Sequence, residues 1–436
     1  MQIFFLKLFI LFSFCQGLLF YFGFPSGVFK SIMLVLSINC ILVLGTTNGI
    51  KIKSDKILNI FGIYIIVVFV SSILNSFELK STISFLLYQL PSIIVFAFVR
   101  NVNLNQLQVI KLNRLFVIIF IFQILVSFFK LILFGTSEAI VGTIHYSGGS
   151  LNTIVPLVAI SMLISFYIFY EKKKLFILLI LGFLFMGWTG EKRGIYFYFI
   201  LLITFTYYFN ILLNNKIKIK NLLKNFTILV PVIVAIIYFG VRFSPTLNPE
   251  HRMGGRFDLE YLYDYTYEYS TQVDKYGYSD GRLSGIPTIF FSIMSSDILV
   301  ILFGHGPNEL LGIGDWDRDI YLKYGIASMI GVNGWSTALI STGIIGALII
   351  SYFYLRISIF TYKFAKNEID PYWKAIGFGS FLITLVFFMD FFTYTRSFYH
   401  SIPLNITLLY LYGILKQICD KRTLLGKQRH VMANNI

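Results

Sequence analysis

The sequence predicts an all-α, polytopic integral membrane protein, and three observations predict it. Of 436 residues, 57% are hydrophobic and only 13% charged, with a mean hydropathy of +0.76, whereas soluble domains carry about a quarter charged residues. Apolar runs of ~18–23 residues recur along the chain, long enough to cross a ~30 Å hydrocarbon core as helices. The runs are continuous rather than alternating, which excludes a β-barrel. Finally, lysines cluster in every second loop, as the positive-inside rule requires of cytoplasmic loops.

Taken in order, the candidate spans are 2–22, 27–46, 56–74, 81–99, 111–134, 149–170, 175–188, 194–213, 226–242, 336–358, 373–393 and 401–418. The first, beginning MQIFFLKLFILF, lacks a basic n-region and a small-residue cleavage site, so it reads as a span rather than a removed signal. An even count of about twelve spans puts both termini on one side, and the lysines decide which. Lys51, Lys53 and Lys56, then Arg100, Lys111 and Arg114, then 172–174, then Lys216, Lys218, Lys220 and Lys224, then Lys363 and Lys366, and finally the tail all fall on the same side. Both termini are therefore expected in the cytoplasm. The net charge of +15 is absorbed by this topology, so nucleic acid is not an expected partner. Cys15, Cys40 and Cys419 are too few and too scattered for a disulfide framework or a thiolate metal site.

The organisation that follows is 1–242 as nine helices, 243–335 as one large extracytoplasmic loop, 336–418 as three more helices, and 419–436 as a cytoplasmic tail. A polar insert of this length among short turns is where function concentrates. Within it, the apolar stretch 287–303 carries Asp297 and is expected to pack as a helix on the membrane side of the loop. No repeat divides the spans into matching halves, which argues against a transporter.

The outer side holds seven arginines: Arg193, Arg242, Arg252, Arg256, Arg282, Arg318 and Arg396. Topology needs no particular cation, but arginine's planar fork grips phosphate and carboxylate oxygens at two points. Pairing with loop acids such as Glu250, Asp258, Glu260, Asp264 or Asp280 is the plain alternative for each. Arg193 and Arg242 stand at span ends, where charge is costly and usually functional. The run from Leu175 to Trp188 makes only about 21 Å of helix, short of the ~30 Å core. The turn TGEKRG at 189–194 is therefore expected below the surface, in a protein-lined cavity, with Gly190 and Gly194 allowing a sharp turn.

Two stretches resemble the O-antigen polymerase/O-antigen ligase superfamily of bacterial polysaccharide assembly. TGEKRG is similar to that family's "TGSRG"-like turn, with Arg193 as its arginine. VNGWSTALISTGIIG at 332–346 looks like the family's "HN…G-hydrophobic-hydrophobic-G" pattern, with Asn333, Gly343 and Gly346 in place, and ILFGHGPNE at 301–309 resembles its "lfGxG" turn. The resemblance covers architecture and about 30 residues of motif. Val332 stands where the ligase pattern has a histidine, which shifts the expectation toward a polymerase. Lys192 replaces the usual serine.

The resemblance implies a GT-C-like enzyme in the cytoplasmic (inner) membrane of a bacterial cell, acting on the outer face of that membrane. It would transfer a growing glycan from undecaprenyl pyrophosphate to the sugar hydroxyl of a second lipid-linked repeat unit. The expected partners are these undecaprenyl-pyrophosphate-linked oligosaccharides, the lipid bilayer, a chain-length regulator and a flippase. Arg193, Arg242, Arg256, Arg282, Arg318 and Arg396 would stabilise charge on the leaving pyrophosphate. Glu191, Asp390 and Glu250 lead the candidates for a base that deprotonates the acceptor, ahead of Asp258, Glu260, Asp280 and Glu309. Asp390 and Arg396 are equally readable as a structural pair. His251 and His305 read as ordinary loop residues. Asp315, Asp317 and Asp319 in DWDRD offer oxygens of the kind Mg2+ or Mn2+ takes, but such loops mostly pair with arginine or water, so no metal or other cofactor is expected. The tyrosine-rich 261–278 offers aromatic faces for sugar or for the membrane interface. A ligase with a different acceptor, and a flippase or other non-enzymatic transporter, are the competing readings.

Overall fold

The computed structural model describes the chain apart from residues 1, 49–52, 76, 103, 146–148, 172, 193, 215–230, 232–233, 236, 280, 308–322, 328–330 and 435–436. The described part is built of helices, and its only strand-like pairings are the isolated bridges Val273–Ser279 and Ser279–Ile326. Eight helices are long and apolar enough to cross a membrane, and a bent pair makes a ninth if it counts as one span. The chain is a multi-pass, all-α membrane protein.

The N-terminal half runs α1 (Gln2–Ser13), α2 (Gln16–Tyr21), α3 (Ser26–Asn48), α4 (Lys56–Leu74), α5 (Leu79–Leu86), α6 (Leu90–Asn101), α7 (Gln106–Phe134), α8 (Leu151–Phe169), α9 (Lys174–Thr189) and α10 (Gly194–Asn214). Polar residues set their starts. The Asp55 carboxylate accepts from Ile57 N at 2.8 Å to cap α4, and Asn105 with Gln108 forms a reciprocal capping box on α7, satisfying amides that a helix start leaves open. Two stretches expected as single spans are broken. The 2–22 run divides into α1 and α2, and the 81–99 run divides into α5 and α6 with a 51° bend. Of the 226–242 span, residues 226–230, 232–233 and 236 lie outside the described residues, and the rest are helical.

The 243–335 stretch contributes α11 (Leu259–Thr271), α12 (Arg282–Met294) and α13 (Ile298–Phe303). The segment expected as one helix over 287–303 is thus two, and both pack against α14 (Gly334–Asn367). α14 is followed by α15 (Pro371–Met389), a π-helical turn (Asp390–Tyr394), α16 (Ser397–His400) and α17 (Ile402–Asn434). α15 lies between α8 and α14 and α17 lies along α6, so the core centres on the C-terminal helices. The lipid-facing character of the rest is plain from fully apolar, outward residues such as Phe129, Leu133 and Ile66.

Candidate functional site

The site is built around the end of α15. There the backbone loosens into the π-helical turn Asp390–Tyr394, a rare conformation that recurs at functional sites. Asp390 is buried and folds its carboxylate back over the turn. Its Oδ1 accepts from Thr395 Oγ1 at 2.6 Å and its Oδ2 accepts from Ser397 N at 3.1 Å. Asn333 approaches from the start of α14. Its Oδ1 accepts from Ser336 N at 2.8 Å, capping the helix, while its Nδ2 donates to the Phe392 carbonyl. Gly334 N donates to Thr395 O at 2.6 Å, and a Cβ at Gly334 would stand 2.5 Å from the Phe391 ring. The VNGW motif is therefore docked on the π turn.

Tyr394, the last residue of the turn, gathers three more elements. Its hydroxyl is 2.9 Å from Thr153 Oγ1 on α8. Gly194, the first residue of α10, lies against its ring so closely that a Cβ would stand 2.7 Å from the ring carbons. The Arg282 guanidinium, from the start of α12, stacks over the ring at 4.2 Å from its centroid, a cation–π contact. Tyr198 packs edge-on against Tyr394 at 5.1 Å, with its hydroxyl 2.7 Å from Thr393 Oγ1. The Arg282 charge also acts on Asp390. Arg282 Nε is buried with no hydrogen-bond partner among the described residues. Such a donor invites an acceptor from outside the chain.

The TGEKRG turn flanks this cluster. Thr189 donates to Phe185 O at 2.9 Å, and Gly190 is buried against the Asn152 side chain, which would obstruct any Cβ there. The end of α9, Met186–Thr189, is buried, whereas Glu191 and Lys192 are half-buried. Glu191 takes a left-handed φ of 56° and its carboxylate has no partner among the described residues. Lys192 pairs with Glu138, which gives it the role the motif left open. Arg193 lies outside the described residues.

The other expected site residues divide. Arg242 donates to Gly255 O at 3.2 Å, Gly254 O at 3.1 Å and the Tyr238 hydroxyl at 3.2 Å, so it ties down its own loop. Glu250 pairs with Arg252 at 2.6 Å and Arg256 with Asp258 at 3.0 Å, all on the surface of the loop. The Tyr261 amide, with Arg256, holds the Asp258 carboxyl below its ordinary value. Arg396 sits at the N-terminus of α16. Gly343 interrupts α14 with a φ of +65° and lies against the Leu302 and Phe303 backbone, Gly304 lies against the backbone of 340–343, and Gly346 fits beside Thr342. The two glycine motifs thus dock on each other. His305 N, in the FGHG turn, donates to Ile340 O at 2.7 Å. Val332 is buried in the core. Arg318, Asp280, Glu309, Asp315, Asp317 and Asp319 lie outside the described residues. Among the described residues, no three His, Cys, Asp or Glu side chains form a metal-binding group.

No family model and no curated protein matches the chain.

Of the expected residues, Gly194, Arg282, Asn333 and Asp390 come together at the π turn, with Gly190 and Glu191 beside them. Tyr394, Thr153 and Tyr198 were not anticipated. Asn152 and Thr153 are adjacent polar residues inside an otherwise apolar span, with Pro156 close behind; that was the available signal.

Proposed function

We propose that the chain is a polysaccharide polymerase, an integral membrane glycosyltransferase of about twelve spans. In this reading 1–242 and 336–418 form the membrane domain, 243–335 is an extracytoplasmic loop, and 419–436 is cytoplasmic. The enzyme moves a growing glycan from undecaprenyl pyrophosphate to a lipid-linked repeat unit at the outer face of the cytoplasmic membrane. The observation that carries the proposal is the convergence of Arg282, stacked on Tyr394, with Gly194, Asn333 and Asp390 from four separate elements.

In the reaction the acceptor hydroxyl oxygen bonds to the anomeric carbon, and the bond from that carbon to the pyrophosphate oxygen breaks. The electron pair leaves with the pyrophosphate, and the hydroxyl proton passes to a base. Arg282 is set to meet the charge that develops on the leaving oxygens, because its fork is already oriented by Tyr394. Arg193 and Arg396 remain candidates for the same task. Glu191 is the best-suited base, because Glu250 is paired with Arg252 and both oxygens of Asp390 already accept hydrogen bonds. Buried Val332, at the position of the ligase histidine, favours polymerase over ligase.

The test is elongation of a defined lipid-linked repeat by purified protein in liposomes, with and without chelator and without an energy source. Chains longer than one repeat are expected. Transport without elongation would instead place the chain among flippases.

A further inference from the structure

α14 begins at the π turn, and its other end meets α17 across a groove of about 200 Å3. Phe360, Lys363 and Phe364 of α14 form one wall, and Cys419 and Arg422 of α17 form the other. The acid in the groove, Glu368, is already neutralised. Its side chain is 3% exposed and accepts from Arg422 at 2.6 Å and from the amides of Ile369 and Asp370 at 3.0 Å each. The neighbouring acids are engaged as well: Asp370 caps α15, and Asp420 faces Arg100.

One face of α14 leads out of this groove. Leu348, Tyr352, Leu355 and Ile359 follow one another at steps of three or four residues, which keeps them on one side of the helix, and all four are exposed. Lys363 and Lys366 prolong the stripe and are exposed too. Arg356 stands on the same face about two turns before Lys363. It is half-buried, and its charge acts on Tyr412 of α17. Among the described residues, Arg356, Lys363 and Lys366 have no hydrogen bond or ion pair.

A cation in an apolar span is costly and marks a place where something meets it. Here the unpaired cations stand at the foot of an outward apolar stripe, beside a groove with no free acid. A soluble anion would satisfy the charge and leave the stripe bare. A neutral lipid would cover the stripe and leave the charge unmet. An anionic phospholipid does both, and basic pockets between membrane helices are where such headgroups bind. We propose that the groove between α14 and α17 holds one anionic phospholipid, its phosphate on Arg356, Lys363 and Arg422 and an acyl chain laid along Ile359, Leu355 and Tyr352. This site stands apart from the Arg282 cluster and does not depend on the polymerase reading.

Cys419 in the groove wall serves as the reporter. Full-length protein carrying Cys15→Ser and Cys40→Ser is purified in detergent and alkylated with N-ethylmaleimide. Dioleoyl phosphatidylglycerol at saturation should slow alkylation of Cys419 about tenfold, and dioleoyl phosphatidylcholine less than about twofold. Arg356→Gln/Lys363→Gln should weaken the phosphatidylglycerol affinity about thirtyfold, the attraction of two cations near the membrane surface. Lys111→Gln, which removes an exposed lysine on α7 outside the groove, should leave it unchanged. Should the double variant melt below the wild type, Lys363→Gln alone is titrated, and a weakening of about fivefold is expected. Equal protection by phosphatidylcholine, unaltered affinity in the groove variants, or equal weakening by Lys111→Gln would overturn the proposal. Equal protection by soluble glycerol phosphate would overturn the assignment to a lipid. Protection that follows protein concentration rather than lipid concentration would give this face to a second copy of the chain instead.

Discussion

The guanidinium of Arg282 lies 4.2 Å from the centroid of the Tyr394 ring. That ring is fixed on two other sides, by Thr153 at its hydroxyl and by Gly194 against its carbons. The stack therefore sets the plane of the arginine fork before any ligand arrives. Lysine keeps the charge but has neither the plane nor the second donor. Arg282→Lys should insert normally yet elongate about 10²-fold more slowly, the usual cost of one preorganised donor. Tyr394→Phe keeps the stack and loses the hydroxyl's bonds to Thr153 and to the Arg282 guanidinium, each worth about 1 kcal/mol, so it should lose less than about thirtyfold. Initial rates of repeat addition measure both. An Arg282→Lys protein as fast as wild type would remove Arg282 from the reaction.

Gly194 is tested by size alone. A Cβ there would stand 2.7 Å from Tyr394, whereas one at Gly62 on α4 meets nothing within 4 Å. Overpacking typically costs about 1–3 kcal/mol. Gly194→Ala should lower the melting temperature in detergent and displace Tyr394, while Gly62→Ala should leave both melting and elongation unchanged. The comparison separates a packing requirement from any general intolerance of these helices to added bulk.

Composition and apolar run length made the membrane architecture legible, and some boundaries coincide closely, as at Lys56–Leu74 and Lys174–Thr189. The breaks at Cys15 and at Leu87–Gln89 were not legible, because both halves of each run are equally apolar and hydropathy is blind to direction. At the site, Arg282, Asn333, Gly194 and Asp390 were singled out by residue type and place. Their common partner Tyr394 was not, because a tyrosine in DFFTYTR looks like any interfacial aromatic until the π turn aims it. Arg242 and Glu250 show the converse. Their charge and position looked functional, but partners up to 13 residues away in the same loop occupy them, and local pattern does not specify such pairing.

At the opposite end of the bundle, Arg100 is held between Asp55 at 2.5 Å and Asp420 at 3.4 Å, with Lys416 also 3.4 Å from Asp55. The Asp55 side chain is 3% exposed and that of Arg100 10%. Removing one member of a buried pair strands the other, at a typical cost of about 3–5 kcal/mol. Asp55→Ala should therefore lower thermal stability sharply, with part of the effect due to the lost cap on α4. Adding Arg100→Ala should recover much of the loss, since the stranded charge is then gone. Strictly additive losses in the double variant would show that the pair contributes no coupling.

His400 and His145 predict a pH dependence of stability with a definite sign. Burial, then Arg396, His145 and Lys30, hold the His400 imidazole well below its ordinary value of 6.5, and burial followed by Lys130 lowers that of His145. A base whose folded pKa is depressed takes up protons more readily when unfolded, so stability falls as the pH drops below about 6.5. Melting temperatures measured from about pH 7.5 to 5.5 should therefore fall. His145→Gln/His400→Gln should flatten the trend, because neither position then titrates. A wild-type melting temperature that holds constant across this window would mean that the two imidazoles take up protons as readily in the folded chain as in the unfolded one.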